Sequence, residues 1–445
     1  MGKILKGVRV LRRHLSRWFY VTSMWAIKRL PDAIQGKLIR RQLHLPLVLP
    51  GDMVFKIADT KEEFAQALAL VYEAYLEQGL ISCNQHAQRF TKYHASPFST
   101  VIVGKWQDEV VATLTVIVDS PLGLPADAGW DLDDLRRWGD RVAEISSLAI
   151  KRGWRRKRGF ILMPLVKFLY EYAIKYAGVD RFVAVTNESA RFFYRHILLF
   201  EDLEPKSTGK SYQFVKTNCP WGMTLNLRRA RGDFRRVSVG KGEGQNIFRF
   251  FCERQFAGFH YPERSFFKSL DPVLAPHDLR ELLKCGVLGG LEISDPDREF
   301  LRSAYHFQEF KQLIPMESPS VQKDRQHPRF PVRIKGQVNK SGSQRPIPIE
   351  IFEVSEKGLM IRLSGESLLL SNMTLRFLVS PWQSVEVEAQ PVWCKPGGIM
   401  GLRIHKVNRS IWGAYMQYLE GDLKREASLI PKPRKSAENK LKKAA

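Results

Sequence analysis

One stretch in the middle of the chain constrains the fold most, because its order of elements is typical of an α/β layer. The apolar segment Val142–Ile150 predicts a buried strand, and a basic, glycine-containing loop follows at 151–159. The pattern then predicts a helix at 160–176, a second strand at Arg181–Thr186 and a helix at 189–196. Strands and helices therefore belong to one domain in this part of the chain.

The length of 445 residues indicates two or three domains. A hydrophobic content of 44% is enough to build cores, so global disorder is excluded. A helix at 61–78 and a hairpin of strands within 101–119 extend the α/β pattern towards the N-terminus. Short strand-like runs between 347 and 407 predict a small all-β domain near the C-terminus.

The loop at 151–159 is strongly basic, because six of the eight residues from Lys151 to Arg158 are Lys or Arg. A loop that leads into a helix presents unpaired backbone N–H groups and the positive end of the helix dipole. Phosphate groups bind readily at such a place. The sequence therefore predicts an anionic partner here, with a solvated basic surface as the alternative.

The order of these segments resembles the GNAT acyltransferase fold. In that family a (Q/R)xxGx(G/A) motif holds the pantetheine phosphates of an acyl thioester, and Arg156-Lys-Arg-Gly159-Phe-Ile161 is similar to it. The run NESARFFYRH at 187–196 resembles a later GNAT segment, in which a tyrosine faces the departing thiolate. Over 87–227 the chain is most similar to N-acyl amino acid synthases, and next to the acyl-homoserine-lactone synthases.

This resemblance implies that Arg155, Arg156, Arg158 and Gly159 bind the phosphate of the acyl donor. Ile161 stands where the family has a small residue, and its bulk is expected to hinder the diphosphate of coenzyme A. A donor with one phosphodiester and an acidic protein surface fits better. The expected donor is the phosphopantetheine thioester of acyl carrier protein, and the expected acceptor is an amino acid amine.

Aminolysis of a thioester needs a base for the amine, stabilisation of an oxyanion and a proton for the leaving sulfur. Under the same resemblance Glu144 is the expected general base and Tyr194 the residue at the leaving thiolate. Two alternatives remain open. Glu144 can be a structural carboxylate paired with Arg141 or Arg152, and Tyr194 can be a core aromatic residue.

Two short segments near the C-terminal strands suggest a nucleotide site. Arg325 and Arg329 lie four apart in an extended, Pro-containing strip, and each can form a fork onto a phosphate or a guanine edge. Glu353 offers a carboxylate for the N1–H and N2–H donors of guanine, followed by the hydroxyl of Ser355 and the turn residue Gly358.

This spacing resembles the PilZ domain, whose RxxxR and (D/N)xSxxG motifs bind cyclic di-GMP. The resemblance implies that Arg325, Arg329, Glu353, Ser355 and Gly358 bind that nucleotide. Glu353 stands where the family has Asp or Asn. Its side chain is one methylene longer than that of Asp, so it would meet the guanine edge at a shifted distance and change the affinity for the nucleotide. The alternative is that the arginines solvate a linker and that 355–358 is an ordinary turn.

The two ends of the chain carry much of its net charge of +24. Residues 1–50 hold eleven Lys or Arg against one acid, and apolar residues recur there at helical spacing. This pattern predicts a basic amphipathic helix that lies on anionic lipid or packs on the next domain. The apolar run is too short to span a bilayer. Nucleic acid is a less favoured partner, because the basic residues lack interleaved stacking aromatics.

The predicted fold class is an α/β (α+β) GNAT-like acyltransferase domain and a C-terminal all-β PilZ-like barrel, joined by a helical connector. The segments are 1–50, basic and amphipathic; 51–230, the acyltransferase; 231–320, the connector; 321–423, PilZ; and 424–445, a basic disordered tail. The five cysteines form no CxxC, so no metal site is expected and a cytoplasmic location fits, on the inner face of the membrane if the N-terminal helix binds lipid. A non-catalytic cyclic-di-GMP effector, or a GNAT enzyme acting on another amine, is the alternative function.

Overall fold

The structure is a computed structural model that describes residues 29–120, 122–137, 140–155, 159–206, 220–267, 276–287, 293–305, 309, 312–313, 327–339, 346–363, 372–395 and 399–428. The predicted amphipathic helix in residues 1–28 lies outside the described residues, as do Arg156, Arg158, Arg325 and residues 429–445. No helix in the described part of the chain is both long enough and apolar enough to cross a membrane.

The first domain is built on a mixed sheet. Its strands are β1 (Met53–Ile57), β2 (Ser99–Trp106), β3 (Glu109–Val118), β4 (Val142–Ile150), β5 (Arg181–Thr186), β6 (Glu201–Asp202), β7 (Trp221–Asn226) and β8 (Phe259–His260). Their order in the sheet is β6-β7-β5-β4-β3-β2-β1-β8. The pairs β4–β5 and β1–β8 are parallel. The sequence predicted β4 and β5 with the observed bounds.

Helices cover both faces of this sheet. They are α1 (Asp32–Arg41), α2 (Lys61–Glu77), α3 (Asp133–Arg137), α4 (Leu162–Tyr172), α5 (Glu188–His196), α6 (Leu227–Ser238), α7 (Ile247–Cys252), α8 (Pro276–Val287) and α9 (Asp295–Ala304). The apolar residues of α4, α6 and α7 form a core on one face, and those of α2 form a core on the other. Each fully buried side chain, such as Phe168, contributes roughly 1.5–3 kcal/mol to the stability of these cores.

The helices of the predicted connector pack on the acyltransferase sheet. Helix α7 belongs to the first core, while Leu279 of α8 and Leu301 of α9 are buried in the second. The hydroxyl of Tyr305 donates to the carbonyl of Ala95 at 2.6 Å, and Lys92 pairs with Asp297 at 2.8 Å. Helices α7, α8 and α9 and Tyr305 thus contribute directly to the body of the first domain.

The second domain is a closed antiparallel barrel. Its strands are β9 (Arg329–Asn339), β10 (Ile347–Ser355), β11 (Gly358–Leu363), β12 (Met373–Leu378), β13 (Ser384–Lys395) and β14 (Ile399–Val407). They close in the order β10-β11-β14-β13-β12-β9. Alternate residues of each strand point into a core that includes Ile351, Val387 and Leu375. The predicted fold class is confirmed: an α/β GNAT-like domain followed by an all-β barrel.

A final helix, α10 (Arg409–Ser428), packs against the barrel and was not predicted from the sequence. Its residues Trp412, Tyr415, Met416 and Leu419 are buried in the barrel core. The helix extends through Ser428 and so includes the first five residues of the segment predicted to be a tail. Helical spacing of these four apolar residues is the signal that explains it.

The two domains are in direct contact. Phe266, in the segment that follows β8, is buried in the barrel core, and the N–H of Phe267 donates to the carbonyl of Val379 at 2.9 Å. On strand β9 the ammonium of Lys335 lies 2.5 Å from the carboxylate of Asp180 in the first domain. Both an apolar anchor and a charged contact therefore join the domains.

Candidate active site and nucleotide cleft

Strands β4 and β5 separate part-way along the sheet. Their parallel pairing covers only Val142 to Ile145, whereas β4 continues to Ile150 beside β3. A β-bulge interrupts the β3–β4 ladder, because Thr115 pairs with Ser146 while Thr113 pairs with Ala149. Ser147 lies in this bulge with φ +53°. The second half of β4 is therefore not paired with β5, and we take this separation as the candidate acyltransferase cleft.

Glu144 lies on β4 just before the point of separation. Its side chain is buried, and Oε2 accepts a hydrogen bond from the N–H of Ala126 at 2.7 Å. Ala126 belongs to a short 3₁₀ turn, Pro125–Ala128. The turn is fixed by Arg136, which donates two hydrogen bonds to Asp119 and two to Asp127, at 2.7–3.0 Å. This network sets the orientation of the Glu144 carboxylate.

Tyr75 lies in the electrostatic neighbourhood of Glu144, and Tyr194 lies close to Tyr75. Burial raises the pKa of Tyr75. The positive charge of Arg89 opposes this rise, and the negative charge of Glu144 adds to it. The backbone of Ser147, in the bulge, lies close to the Tyr75 hydroxyl and opposes part of this rise in pKa. Burial, with Tyr75 nearby, also raises the pKa of Tyr194 on α5. Both phenols therefore stay protonated at neutral pH and can serve as proton or hydrogen-bond donors.

Tyr75 was not identified from the sequence as a site residue. It occupies the apolar side of α2, where an aromatic residue is expected to be core. The guanidinium of Arg89 lies 5.2 Å from the centroid of its ring. The sequence gives no signal that Tyr75 belongs to the site, because the distance between Tyr75 and Glu144 depends on how α2 packs across β4.

His94 is a buried neutral imidazole next to this group. Its Nδ1 accepts a hydrogen bond from the N–H of Thr91 at 3.1 Å. Burial, and then the charge of Arg89, lower the pKa of His94 to about 3. An unfolded histidine titrates near 6.5, so between those values only the unfolded chain takes up the proton. The stability that this difference provides is complete above pH ~6.5 and is lost progressively as the pH falls.

We therefore expect the free energy of unfolding of the first domain to fall by about 2 kcal/mol between pH 6.5 and pH 5 through His94 alone. Urea denaturation at a series of pH values measures it. The substitution His94→Asn keeps an acceptor at the Nδ1 position and should reduce the pH dependence, whereas exposed His86→Asn should leave it unchanged. Equal pH slopes for wild type and His94→Asn would contradict this assignment.

The predicted donor loop begins directly after β4. Gly159 has φ +76°, a conformation that favours glycine, and stands just before α4. Arg155 braces the loop, because its Nε donates to the carbonyl of Ile150 and its Nη1 to Glu77, each at 2.6 Å. Arg152 is 88% exposed, with its Nε 3.9 Å from a carboxylate oxygen of Glu77. Of the predicted phosphate ligands, the structure describes Arg155 and Gly159.

Ile161 does not project into the loop. Its side chain is only 2% exposed and belongs to the core beneath α4. The side chain of Ile161 is therefore not placed to hinder coenzyme A, contrary to the expectation from the sequence. A position in a motif predicts the path of the backbone but not the direction of a side chain.

The residues of the predicted nucleotide motif that the structure describes come together at one end of the barrel. Arg329 Nη1 donates to Glu353 Oε1 at 2.7 Å. Ser355 and Gly358 close a tight turn, with the Ser355 hydroxyl donating to the carbonyl of Gly358 at 3.2 Å. A Cβ at position 358 would come 3.1 Å from the carbonyl oxygen of Leu402, so the backbones approach closely there. These four residues line one cleft.

Sequence reasoning missed part of this cleft. Its lining also contains His327, which stands between the two arginines of the first motif, and Trp393 and Arg403, which lie outside both motifs. His327 is 3.2 Å from a carboxylate oxygen of Glu356. Trp393 and Arg403 reach the cleft from β13 and β14, some forty residues beyond the motif, and only the closure of the barrel brings them there.

Comparison with known proteins identifies both domains. Residues 66–221 match the model of the family described as N-acyl amino acid synthase FeeM, and residues 323–420 match the PilZ domain model. The chain therefore joins a domain of the acyltransferase class to a PilZ domain. Specifically, it contains a FeeM N-acyl amino acid synthase domain and a C-terminal PilZ domain, as the sequence predicted. No curated protein matches the chain.

Solved structures with similar folds include FeeM, an N-acyl amino acid synthase from uncultured soil microbes. It is 22% identical, with a TM-score of 0.35, and the match covers 40% of this chain and 93% of FeeM. The CoA-dependent acyl-homoserine lactone synthase BjaI is 11% identical over 52% of this chain and 100% of BjaI, with a TM-score of 0.32. The Bacillus subtilis inhibitor of motility MotI/DgrA is 18% identical over 25% of this chain and 57% of MotI/DgrA, with a TM-score of 0.21.

Proposed function

We propose that the first domain transfers a fatty acyl group from acyl carrier protein to the α-amine of an amino acid, and that cyclic di-GMP binds the PilZ domain and controls this transfer. One observation carries the enzymatic part. A buried carboxylate, Glu144, is held at the opening between β4 and β5 within the segment that matches the N-acyl amino acid synthase family.

The reaction assigns a role to each group in the cleft. The neutral amine attacks the thioester carbonyl carbon, and Glu144 accepts the proton that the nitrogen loses as the C–N bond forms. A backbone N–H at the bulge near Leu148 stabilises the oxyanion that forms. As the intermediate collapses, the C–S bond breaks and Tyr194 donates a proton to the thiolate. The proton taken up by Glu144 returns Tyr194 to its phenol form through solvent, so the products are an amide and a thiol.

The charge near the donor loop supports acyl carrier protein as the donor. Six of the eight residues from 151 to 158 are basic, and Arg152 is exposed. An acidic carrier protein gains attraction from such a surface over an area that coenzyme A does not cover. The proposed preference for acyl carrier protein over coenzyme A therefore rests on charge alone, because the side chain of Ile161 is buried.

The direct test supplies the purified chain with fatty acyl carrier protein, or with the matching acyl-coenzyme A, and a mixture of amino acids. Mass spectrometry then detects N-acyl amino acids. Product from the carrier-bound donor, with much less from coenzyme A, supports the proposal. Product only from coenzyme A would overturn the donor assignment. No product from either, with nucleotide binding intact, would favour a non-catalytic cyclic-di-GMP effector, and product only with a polyamine or protein lysine would favour another amine acceptor.

An ion cluster between the domains supports control by the nucleotide. Lys335 lies on β9, the strand that begins at Arg329, and its ammonium is 2.5 Å from Asp180 and 3.6 Å from Asp140. These carboxylates stand just before β5 and β4, the two strands that separate at the active site. Strand β9 therefore links the nucleotide cleft to the base of the acyltransferase cleft.

The cluster is tightly bonded. Arg228 Nε donates to Asp180 at 2.8 Å, and the N–H of Arg141 donates to the same carboxylate at 2.9 Å. Burial alone would raise the pKa of Asp180, but the charge and hydrogen bond of Lys335, together with the Arg141 N–H and the charge of Arg228, hold that pKa below its usual range. Nucleotide binding can alter turnover only if it favours one arrangement of this contact.

We expect Lys335→Met to uncouple the domains. Cyclic di-GMP should still bind, but its effect on turnover, typically about 5- to 150-fold for an allosteric ligand, should largely disappear. Initial rates with and without saturating nucleotide measure the effect. Lys406→Met, which removes an exposed lysine elsewhere on the barrel, is the control. A nucleotide response in Lys335→Met equal to that of wild type would rule out this route of coupling.

A further inference from the structure

Two segments of the first domain run side by side on its surface. They are residues 29–48, which include α1, and residues 228–254, which include α6 and α7. Three hydrogen bonds of 2.7–2.9 Å join them, from the N–H of Leu45 to the carbonyl of Gly244, from Gln245 Nε2 to that of Arg41, and from Arg254 Nη1 to that of Leu47. We refer to the surface that these two segments form together as the α1–α6 face.

The α1–α6 face is strongly basic. Residues 29–48 hold four Lys or Arg against one acid, and residues 228–254 hold eight against three, so the net charges are +3 and +5. Helix α6 alone carries five exposed arginines, Arg228, Arg229, Arg231, Arg235 and Arg236. A surface of this charge attracts an anionic partner, and the attraction weakens as salt is added.

Two of these arginines lie over an aromatic ring. The guanidinium carbons of Arg231 and Arg235 are 5.4 and 4.7 Å from the centroid of Phe248. Within the part of the chain that the structure describes, neither forms an ion pair with a carboxylate, whereas each of the other three arginines of α6 does. An aromatic ring does not occupy the N–H donors of a guanidinium as a carboxylate does. Arg231 and Arg235 can therefore bind an external anion.

Exposed apolar side chains accompany these charges. Ten large apolar side chains are exposed among the described residues, and five of them belong to the α1–α6 face: Leu30, Ile34, Leu47, Val48 and Val239. Val48 is 72% exposed and Val239 78%. Single exposed apolar residues are ordinary, but their concentration beside a basic surface indicates a place of contact with a partner.

We propose that the α1–α6 face docks on an anionic lipid bilayer. Arg231 and Arg235 bind headgroup phosphates, while Val48 and Val239 enter the boundary between headgroups and acyl chains. A bilayer surface presents both of the chemistries that this face matches, since anionic groups lie directly above an apolar layer. An acidic protein surface would satisfy the arginines but would leave the exposed valines with less to contact.

Docking on lipid has a consequence for the product. This consequence rests on the proposed function, whereas the docking itself does not. A long-chain N-acyl amino acid is an amphiphile, and each buried methylene of its chain favours the bilayer by about 0.8 kcal/mol. An enzyme that lies on the membrane would release such a product directly into it.

The test is co-sedimentation of the full chain with vesicles of phosphatidylcholine, with or without phosphatidylglycerol. Wild type should bind the anionic vesicles and release them as salt rises. Arg231→Gln combined with Arg235→Gln should weaken this binding by about twenty- to thirtyfold, because each basic residue near the surface contributes roughly fivefold. Val48→Ser combined with Val239→Ser should weaken it by about tenfold or more, because two apolar side chains no longer enter the interface.

Matched controls carry the same changes on other exposed parts of the chain. Arg280→Gln with Arg376→Gln removes two exposed arginines, and Leu378→Ser with Trp382→Ser removes two exposed apolar residues of the barrel. Both double variants should bind vesicles like wild type. Loss of binding in these controls, with binding retained when the α1–α6 face is changed, would place the lipid contact elsewhere and overturn the proposal.

The remaining outcomes are also decisive. A wild-type chain that binds neither kind of vesicle overturns the docking surface. Wild-type binding by both variants of the α1–α6 face overturns it too, and assigns any lipid contact to residues 1–28, for which the sequence predicts a basic amphipathic helix. Unchanged vesicle binding with weaker acyl transfer from acyl carrier protein would identify the carrier as the occupant. Vesicle binding requires no turnover, so these results stand whether or not the proposed enzymatic function holds.

Discussion

Replacement of Glu144 by glutamine is expected to lower kcat/KM for acyl transfer by about 10²- to 10⁴-fold, the usual contribution of a general base. The amide has nearly the same shape as the carboxylate, and its oxygen can still accept the hydrogen bond from the N–H of Ala126. The local fold is therefore preserved while the proton acceptor is lost. Initial rates with fatty acyl carrier protein and the preferred amino acid measure the effect.

The matched control is Glu201→Gln, which neutralises an exposed carboxylate on β6 of the same sheet. It should leave kcat/KM within about twofold of wild type, since surface ion pairs of this kind contribute little. The pH profile adds a second criterion, because loss of a general base should flatten the acidic limb. Wild-type turnover in Glu144→Gln, with unaltered thermal unfolding, would return Glu144 to a purely structural role.

Replacement of Arg329 by alanine is expected to weaken binding of cyclic di-GMP by roughly ten- to a hundredfold or more, because a bidentate contact to a phosphate or guanine is lost. Arg329→Lys should recover only part of this affinity, since an ammonium keeps the charge but not the fork. Calorimetric titration at fixed ionic strength measures both. An affinity of Arg329→Ala equal to that of wild type would contradict the assignment of this cleft.

The ion pair of Arg329 and Glu353 predicts the direction in which a substitution at Glu353 changes the affinity for cyclic di-GMP. Glu353 is long enough to reach Arg329 at 2.7 Å, so the site partly neutralises itself before any ligand binds. Glu353→Asp shortens the side chain by one methylene, keeps both acceptor oxygens and should release Arg329. We therefore expect tighter binding in Glu353→Asp than in wild type, measured in the same titration. Weaker binding would mean that the Glu353–Arg329 pair shapes the site instead of competing with the ligand.

The fold was predictable where hydrophobic pattern and strand bounds coincide. Val142–Ile150 and Arg181–Thr186 are apolar runs that turn residues enclose, and both are strands with the predicted bounds. Strand β9 was not predicted, because Pro331 and alternating charged residues obscure it, yet it pairs with both β10 and β12. Pairing of this kind depends on distant strands and leaves little trace in the local sequence.

The candidate sites were predictable only as far as their motifs extend. Glu144, Arg329 and Ser355 could be identified, since each lies in a recognisable segment. Trp393 could not be identified from the sequence, because it lies on β13 and reaches the nucleotide cleft only through the pairing of β13 with β14 in the barrel. Tyr75 could not be identified either, because on the apolar side of α2 it resembles an ordinary core residue. Motifs therefore point to the candidate sites, and only tertiary packing shows which other side chains lie around them.

The most direct measurement is mass spectrometry of lipid extracts from cells that express wild type or Glu144→Gln. The account predicts N-acyl amino acids in the wild-type extract and their loss in the variant, with cyclic-di-GMP binding intact in both purified proteins. Extracts without N-acyl amino acids in either case, from proteins that still bind the nucleotide, would contradict the enzymatic assignment and leave a nucleotide receptor.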